Sequence, residues 1–191
     1  CGLAKPPADR IRNLIGRSLM QMMQQLAPSA GMGKHEELVE TYAAHYLNPN
    51  NRHMRLFPDV PSTLERLREA GYWLSVATGK GRSGLNQAIA QTGTGDFWLA
   101  TACASECPSK PAPDMVWRLC DELGVMPSES IVIGDTAFDL EMAAHAGARG
   151  IGVATGAHSR ETLQSAPNIG ILSCFGELEG FLQRQGSIEA V

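Results

Sequence analysis

Short apolar runs alternate with stretches of helical periodicity from about residue 61 to the C-terminal end of the chain. The apolar runs are rich in Val, Ile and Leu and lie at 73–78, 97–102, 130–134, 150–154 and 169–173. Between them, apolar residues recur at spacings of three and four, which is typical of amphipathic helices. Because strand and helix alternate in this way, the pattern predicts repeated βα units and a mostly parallel sheet.

Residues that favour helix ends support these boundaries. Ser62 and Glu65 are spaced as a capping box, and Gly71 follows the helix that they would open. Pro113 is suited to start the helix near 113–123, and Gly124 is suited to end it; Gly147 is suited to end the helix AFDLEMAAHA. We therefore predict helices that begin and end close to these residues.

The first 50 residues have a different pattern. In the segments RIRNLIGRSLMQMMQQLA and KHEELVETYAAHYLN, apolar residues recur at helical spacing. No predicted strand lies between the two segments, which are separated by a break at 28–33 that contains proline and glycine. Residues 1–50 are therefore predicted to form a small helical module. Residues 48–60 carry two prolines and three asparagines, which indicates a linker to an α/β core over 51–191.

Composition restricts the class of protein further. The chain has 191 residues, of which 43% are hydrophobic, so it is long enough to bury a sizeable core. Its net charge is −4 and it has no extended basic run, so we expect no nucleic-acid partner. No apolar run reaches the roughly 18 residues of a membrane span. The five cysteines are odd in number and lack CxxC spacing, which favours free thiols and a cytoplasmic protein.

Polar side chains follow the predicted strands where each one ends. The run at 73–78 ends with Thr78 and is followed by Gly79 and Lys80. Lys110 comes after the next run, and the run at 130–134 is followed by Asp135 and Asp139. In parallel α/β sheets the carboxyl ends of the strands share one edge, and ligands bind there. The sequence therefore predicts a single polar site at this edge.

The residue types at this edge favour phosphate chemistry. Two nearby carboxylates suit a hard cation such as Mg²⁺, the Thr78 hydroxyl can bind a phosphate oxygen, and Lys110 can neutralise a phosphoryl group. Each residue taken alone has a structural alternative. Asp135 and Asp139 are also suited to cap a helix N-terminus, and a lysine beside prolines is commonly solvent-exposed.

Three segments in order, SVATGK, SKPAPDM and VIGDTAFDLEMAAHAGA, resemble the second, third and fourth motifs of the haloacid dehalogenase-like hydrolase superfamily, in its phosphoglycolate phosphatase-like branch. The resemblance covers roughly 55–185. It implies a three-layer, Rossmann-like parallel sheet with a small helical cap, the first 50 residues being part of that cap. It also implies Mg²⁺-dependent hydrolysis of a small phosphorylated metabolite through an aspartyl-phosphate intermediate. The implied phosphate-binding residues are Thr78, Gly79, Lys80 and Lys110, Thr78 and Lys110 acting in catalysis; the implied metal residues are Asp135 and Asp139.

The chain departs from the family in one respect. The first motif, a DxDGT-type segment that supplies the nucleophilic aspartate on the central strand, is absent from these 191 residues. Asp9 has neither a preceding strand nor a second aspartate two residues later. We therefore expect the nucleophile in a segment upstream of Cys1, without which the sheet has unpaired strand edges. The alternative is a catalytically inactive domain that binds a phosphorylated ligand or a partner.

Other activities stay open at this stage. The segment Gly79–Gly84 matches GxGxxG between a strand and a helix, with Glu106 as a candidate ribose-binding acid. That dinucleotide-binding interpretation leaves Lys110, Asp135 and Asp139 without a role. Within the superfamily, a phosphomutase is compatible with the same residues, whereas the paired acids suit a dehalogenase less well.

Overall fold

The computed structural model describes residues 2–48 and 54–186; Cys1 and part of the predicted linker lie outside the described residues. The helices are α1 Ala8–Arg12, α2 Leu19–Leu26, α3 Met32–Tyr46, α4 Val60–Glu69, α5 Arg82–Thr92, α6 Asp114–Leu123, α7 Ala137–Ala146, α8 Arg160–Gln164 and α9 Leu178–Arg184. The strands are β1 Ser75–Thr78, β2 Ala100–Cys103, β3 Ile131–Gly134, β4 Arg149–Val153 and β5 Gly170–Leu172. No helix in the described ranges is long and apolar enough to cross a membrane.

The strands form two parallel sheets. β1 pairs with β2, with Ser75 opposite Ala100. β3, β4 and β5 pair in that order, with Ile131 opposite Arg149. Among the described residues, no strand pairs with the second edge of β1 or of β3. Each of these two strands therefore has one edge with no strand partner in the described ranges.

Helices cover both faces of the sheets, and their apolar side chains join the sheets into one body. Ile131 and Ile133 face α4 and α9, whereas the intervening Val132 faces α6 and α7. Alternation along a strand sends successive side chains to opposite faces, so β3 is covered on both sides. Leu140 of α7 is fully buried, and each such leucine stabilises the fold by about 1.5–3 kcal/mol. The predicted Rossmann-like α/β class is confirmed.

Two helical segments differ from the sequence prediction, one in where it starts and one in its continuity. α4 begins at Val60 after Asp59, with Pro61 in its first turn, so Ser62 lies inside the helix. The Ser62 hydroxyl donates to the Asp59 carbonyl at 3.2 Å, and no capping box forms at Ser62. The first predicted helix is also interrupted, because Gly16 has φ +107° and the chain turns between α1 and α2. The proline and the glycine each set local backbone geometry that apolar periodicity does not register.

Other boundaries agree with the sequence. Gly124 and Gly147 end α6 and α7 in the left-handed conformation, as their positions predict. The strand predicted at 97–102 is shifted, because Gly95–Phe97 forms a 3₁₀ turn and β2 begins at Ala100.

Candidate active site

Lys110 lies at the centre of the carboxyl-terminal edge. Its Nζ donates to the Ala77 carbonyl of β1 at 2.8 Å and to Asp139 Oδ1 at 2.6 Å. The residue is only 6% exposed, so the ammonium is held between β1 and the helix that follows β3. The solvent-exposed alternative for Lys110 is wrong.

The loop that carries Lys110 is anchored on both sides. The Ser18 amide at the start of α2 donates to Ser109 Oγ at 2.6 Å. His145 Nδ1 on α7 donates to the Pro111 carbonyl at 2.8 Å. The ammonium position therefore depends on the helical module and on α7 together.

Asp139 is held by a capping box at the start of α7. Its Oδ2 accepts from the Thr136 amide at 3.1 Å and from the Thr136 hydroxyl at 2.6 Å. With Oδ1 bound to Lys110, both carboxylate oxygens are satisfied, as a buried charge requires. Asp139 thus caps α7 and pairs with the buried lysine, and its assignment to the metal site stays a prediction.

Asp135 has one oxygen bound and one unbound within the described residues. Its Oδ2 accepts from the Ala157 amide at 2.8 Å, while Oδ1 has no hydrogen-bond partner in the described ranges. A Cβ added to Gly156 would lie 1.9 Å from Oδ2, so glycine is required where the loop after β4 meets the carboxylate.

The carboxylate of Asp135 fits a hard cation that keeps most of its water. No three His, Cys, Asp or Glu side chains in residues 2–48 and 54–186 form a cluster able to hold a metal ion. Mg²⁺ binds through one or two carboxylates, waters and substrate phosphate oxygens, so the unbound Oδ1 of Asp135 is a donor of the kind that Mg²⁺ takes.

The turn after β1 lies against the helical module. Thr78 Oγ1 accepts from the Lys80 amide at 3.2 Å, which leaves the hydroxyl hydrogen able to reach a ligand oxygen. A Cβ on Gly79 would lie 2.6 Å from the Arg17 carbonyl oxygen, so the module's main chain passes directly over this turn. The exposed Lys80 ammonium donates to Tyr46 of α3 at 2.7 Å, and phosphate binding by Lys80 stays a prediction.

Several residues at this edge were not predicted as site residues from the sequence. The turn at Gly16 contacts Thr136, because a Cβ on Gly16 would lie 2.7 Å from Thr136 Oγ1. His158 and Ala157 hold the Asp135 turn from the loop after β4. The spacing of Thr136 and Asp139 was a detectable capping signal, whereas the Gly16 and His158 contacts join distant segments and have no local signal.

Glu106, the candidate ribose-binding acid, has a different partner. Arg82 donates to its two carboxylate oxygens at 2.6 and 2.8 Å. These hydrogen bonds from Arg82 lower the pKa of Glu106. Because Arg82 belongs to the GxGxxG segment itself, the segment and its acid form an ion pair with each other.

Comparison with known proteins identifies the family. The sequence model of the haloacid dehalogenase-like hydrolases matches residues 1–175. A phosphoglycolate phosphatase from Mannheimia succiniciproducens is 28% identical over 144 residues, which cover 75% of this chain and 64% of that protein. The pyrophosphatase PpaX from Bacillus velezensis is 30% identical over 133 residues, which cover 69% of this chain and 62% of that protein. The chain thus spans less than two thirds of the length of these relatives.

Solved structures agree in fold. The crystal structure of a hydrolase from Pseudomonas syringae superimposes with a TM-score of 0.85 at 23% identity, covering 95% of this chain and 85% of that one.

Proposed function

Since the chain belongs to the haloacid dehalogenase-like hydrolase family, we propose that it forms the larger part of a Mg²⁺-dependent phosphatase acting on a small phosphomonoester. The similarity to a phosphoglycolate phosphatase and to a pyrophosphatase supports a phosphate ester or anhydride as the bond cleaved. Phosphoglycolate is an example of the small phosphomonoesters that we propose as substrates.

Three residues have the main roles in this proposal. The Lys110 ammonium stabilises negative charge on the phosphoryl group and on the nucleophile, and Thr78 donates to a phosphoryl oxygen. Asp135 holds Mg²⁺, and Asp139 holds the Lys110 ammonium in place through their hydrogen bond. The metal, when bound, neutralises charge that develops on the phosphoryl oxygens. The bond from Lys110 to both Ala77 and Asp139 is the observation that carries the proposal.

The nucleophile is assigned to a further strand, upstream of Cys1, that pairs with the unpaired edges of β1 and β3. These edges flank Lys110, so a strand there would end beside its ammonium. An aspartate on that strand attacks phosphorus, and the bond from phosphorus to the alcohol oxygen breaks. The leaving alkoxide takes a proton from the second aspartate of the same DxDGT-type segment, which regains a proton from water in the next step. Water then cleaves the aspartyl-phosphate, which releases inorganic phosphate and restores the carboxylate.

The helical module, residues 1–50, is assigned to the cap above this site, with the core over 51–191. The contact of Gly16 with Thr136 supports this, as does the stacking of the Arg17 guanidinium on Phe138, 4.2 Å from the ring centroid. A cap in this position excludes water and contacts the part of the substrate beyond the phosphate.

Phosphate release by the full-length protein tests the proposal. A panel of small phosphomonoesters is assayed with and without Mg²⁺, and Lys110→Met and Asp135→Asn are each expected to lower kcat at least about a hundredfold. Lys34→Met, at a half-buried lysine of α3 that pairs with Glu37, is the matched control and is expected to keep full activity.

The same assay separates the alternatives. Saturable binding of a phosphomonoester without turnover would indicate an inactive ligand-binding domain. Transfer of phosphate between two positions of one substrate, without free phosphate, would indicate a phosphomutase.

A further inference from the structure

The loop after β4 contacts the Asp135 turn through three hydrogen bonds. The His158 amide donates to the Asp135 carbonyl at 3.1 Å, and the Ala157 amide donates to Asp135 Oδ2 at 2.8 Å. The third bond runs in the opposite direction, from the Ala137 amide to His158 Nδ1 at 3.0 Å. Two successive loop residues thus hold both the main chain and the side chain of Asp135.

The His158 ring acts as an external cap for α7. The first amides of a helix have no partner within the helix, and Ala137 is the first residue of α7. Because an N–H group donates to Nδ1, that nitrogen carries no hydrogen, and the ring proton of this tautomer lies on Nε2. Nε2 is buried and has no hydrogen-bond partner among the described residues, so the ring's polar contact is the bond at Nδ1.

Packing fixes the plane of the ring. His158 is 8% exposed and meets Phe138 edge to face, with ring centroids 5.4 Å apart. A ring held in this way cannot turn away from Ala137 without disrupting its contact with Phe138. The turn from Asp135 to Ala137 is therefore clamped by a rigid group from another loop.

We propose that His158 is a positioning residue for the metal-binding carboxylate: its Nδ1 fixes the Asp135 turn and thereby the orientation of Asp135 Oδ1. This rests on the proposed function, in which Asp135 holds Mg²⁺. Residues that orient a metal ligand typically change metal affinity about 10- to 100-fold when they are replaced.

Two substitutions separate the acceptor from the bulk of the ring. The Oδ1 atom of asparagine lies close to the position of histidine Nδ1, so His158→Asn keeps an acceptor for the Ala137 amide. The longer His158→Gln places its amide near the position of Nε2, away from Ala137. His158→Asn therefore keeps the hydrogen bond from the Ala137 amide, whereas His158→Gln loses it.

Metal binding is measured directly, by the electron paramagnetic resonance signal of free Mn²⁺ during titration of the metal-free full-length protein. We expect His158→Gln to raise the Kd for Mn²⁺ at least about tenfold and His158→Asn to stay much closer to wild type. Circular dichroism melting of each variant verifies that it is folded. In the wild-type protein, long-range ¹H–¹⁵N correlation spectra of the ring are expected to show the proton on Nε2.

Each contrary outcome overturns a defined part. Equal Kd values for His158→Gln and wild type would refute the positioning role while leaving the metal site in place. If His158→Gln does not fold, a tenfold loss in a folded His158→Asn, or a ring proton on Nδ1, refutes the role of the acceptor. No Mn²⁺ binding by the wild-type protein would overturn both this inference and the metal assignment.

Discussion

Replacing Lys110 by methionine removes one charge of a buried ion pair and keeps the length of the side chain. The Lys110 and Asp139 side chains are 7% and 8% exposed, and Nζ lies 2.6 Å from Oδ1. At an effective dielectric constant of about 20, charges this close attract by about 6 kcal/mol, which is offset by desolvation of several kcal/mol per ion. The intact pair is thus close to neutral for stability, whereas either charge left alone is costly.

The expected cost of breaking the pair is therefore large. We expect Lys110→Met to lower the free energy of unfolding by about 3–5 kcal/mol, because Asp139 stays buried with no counter-charge. Its two hydrogen bonds from Thr136 remain, so the loss should fall toward the lower end of this range. Asp139→Asn should cost a similar amount, since both carboxylate oxygens accept hydrogen bonds and the NH₂ group of asparagine would face a donor, either the Lys110 ammonium or Thr136, in either orientation.

The double variant Lys110→Met/Asp139→Asn tests whether the cost of each single variant comes from leaving one buried charge without its partner. With both charges removed, we expect it to be no less stable than either single variant, which corresponds to a coupling energy of about 3 kcal/mol. Urea unfolding of the full-length protein measures each value from the transition midpoint, with unchanged m-values as the condition for comparison.

A more exposed pair provides the matched control. Arg66 and Glu179 are joined at 2.7 Å across the tertiary structure, but their side chains are 42% and 31% exposed. The cycle Arg66→Met and Glu179→Gln should give a coupling of only about 0.2–1 kcal/mol. If the Lys110–Asp139 coupling were as small as this, burial of the pair would not govern its energetics and the reasoning would be refuted.

Two further predictions follow from close contacts. Gly156→Ala should weaken Mn²⁺ binding at least about tenfold, because its Cβ would lie 1.9 Å from Asp135 Oδ2. Gly33→Ala is the control, since a Cβ at Gly33 has no atom within 4 Å, and it should bind Mn²⁺ like the wild-type protein. Equal Kd values for Gly156→Ala and the wild-type protein would contradict the predicted clash. The Gly176 amide lowers the pKa of Asp59 by donating a hydrogen bond to its carboxylate. The ionised Asp59 therefore stabilises the fold at pH values above its unfolded pKa of about 4, and this stabilisation is lost as the pH falls through the lower pKa of the folded state. Asp59→Asn should therefore flatten the fall in stability at acid pH, and parallel urea-midpoint profiles for the two proteins would rule this out.

Much of the architecture could be predicted because it depends on local spacing. Apolar alternation located the strands, and glycines such as Gly124 and Gly147 marked where helices end. The prediction failed where one residue changed backbone geometry inside a periodic segment, as at Gly16 and at Pro61. Periodicity reports which side chains are buried and contains little information about such turns.

The sequence by itself determined the α/β class and the set of polar residues that end the strands, because burial and backbone preference act over a few neighbouring positions. Only the tertiary structure decided their partners: Lys110 bonds to Ala77, 33 residues away, and His158 caps a helix 21 residues before it. It also directed Lys80 toward Tyr46, and it showed two strand edges, on β1 and β3, unpaired within the described residues. Hydrogen bonds have strict distance and direction requirements, so partners that are distant in sequence are set by the packing of whole elements.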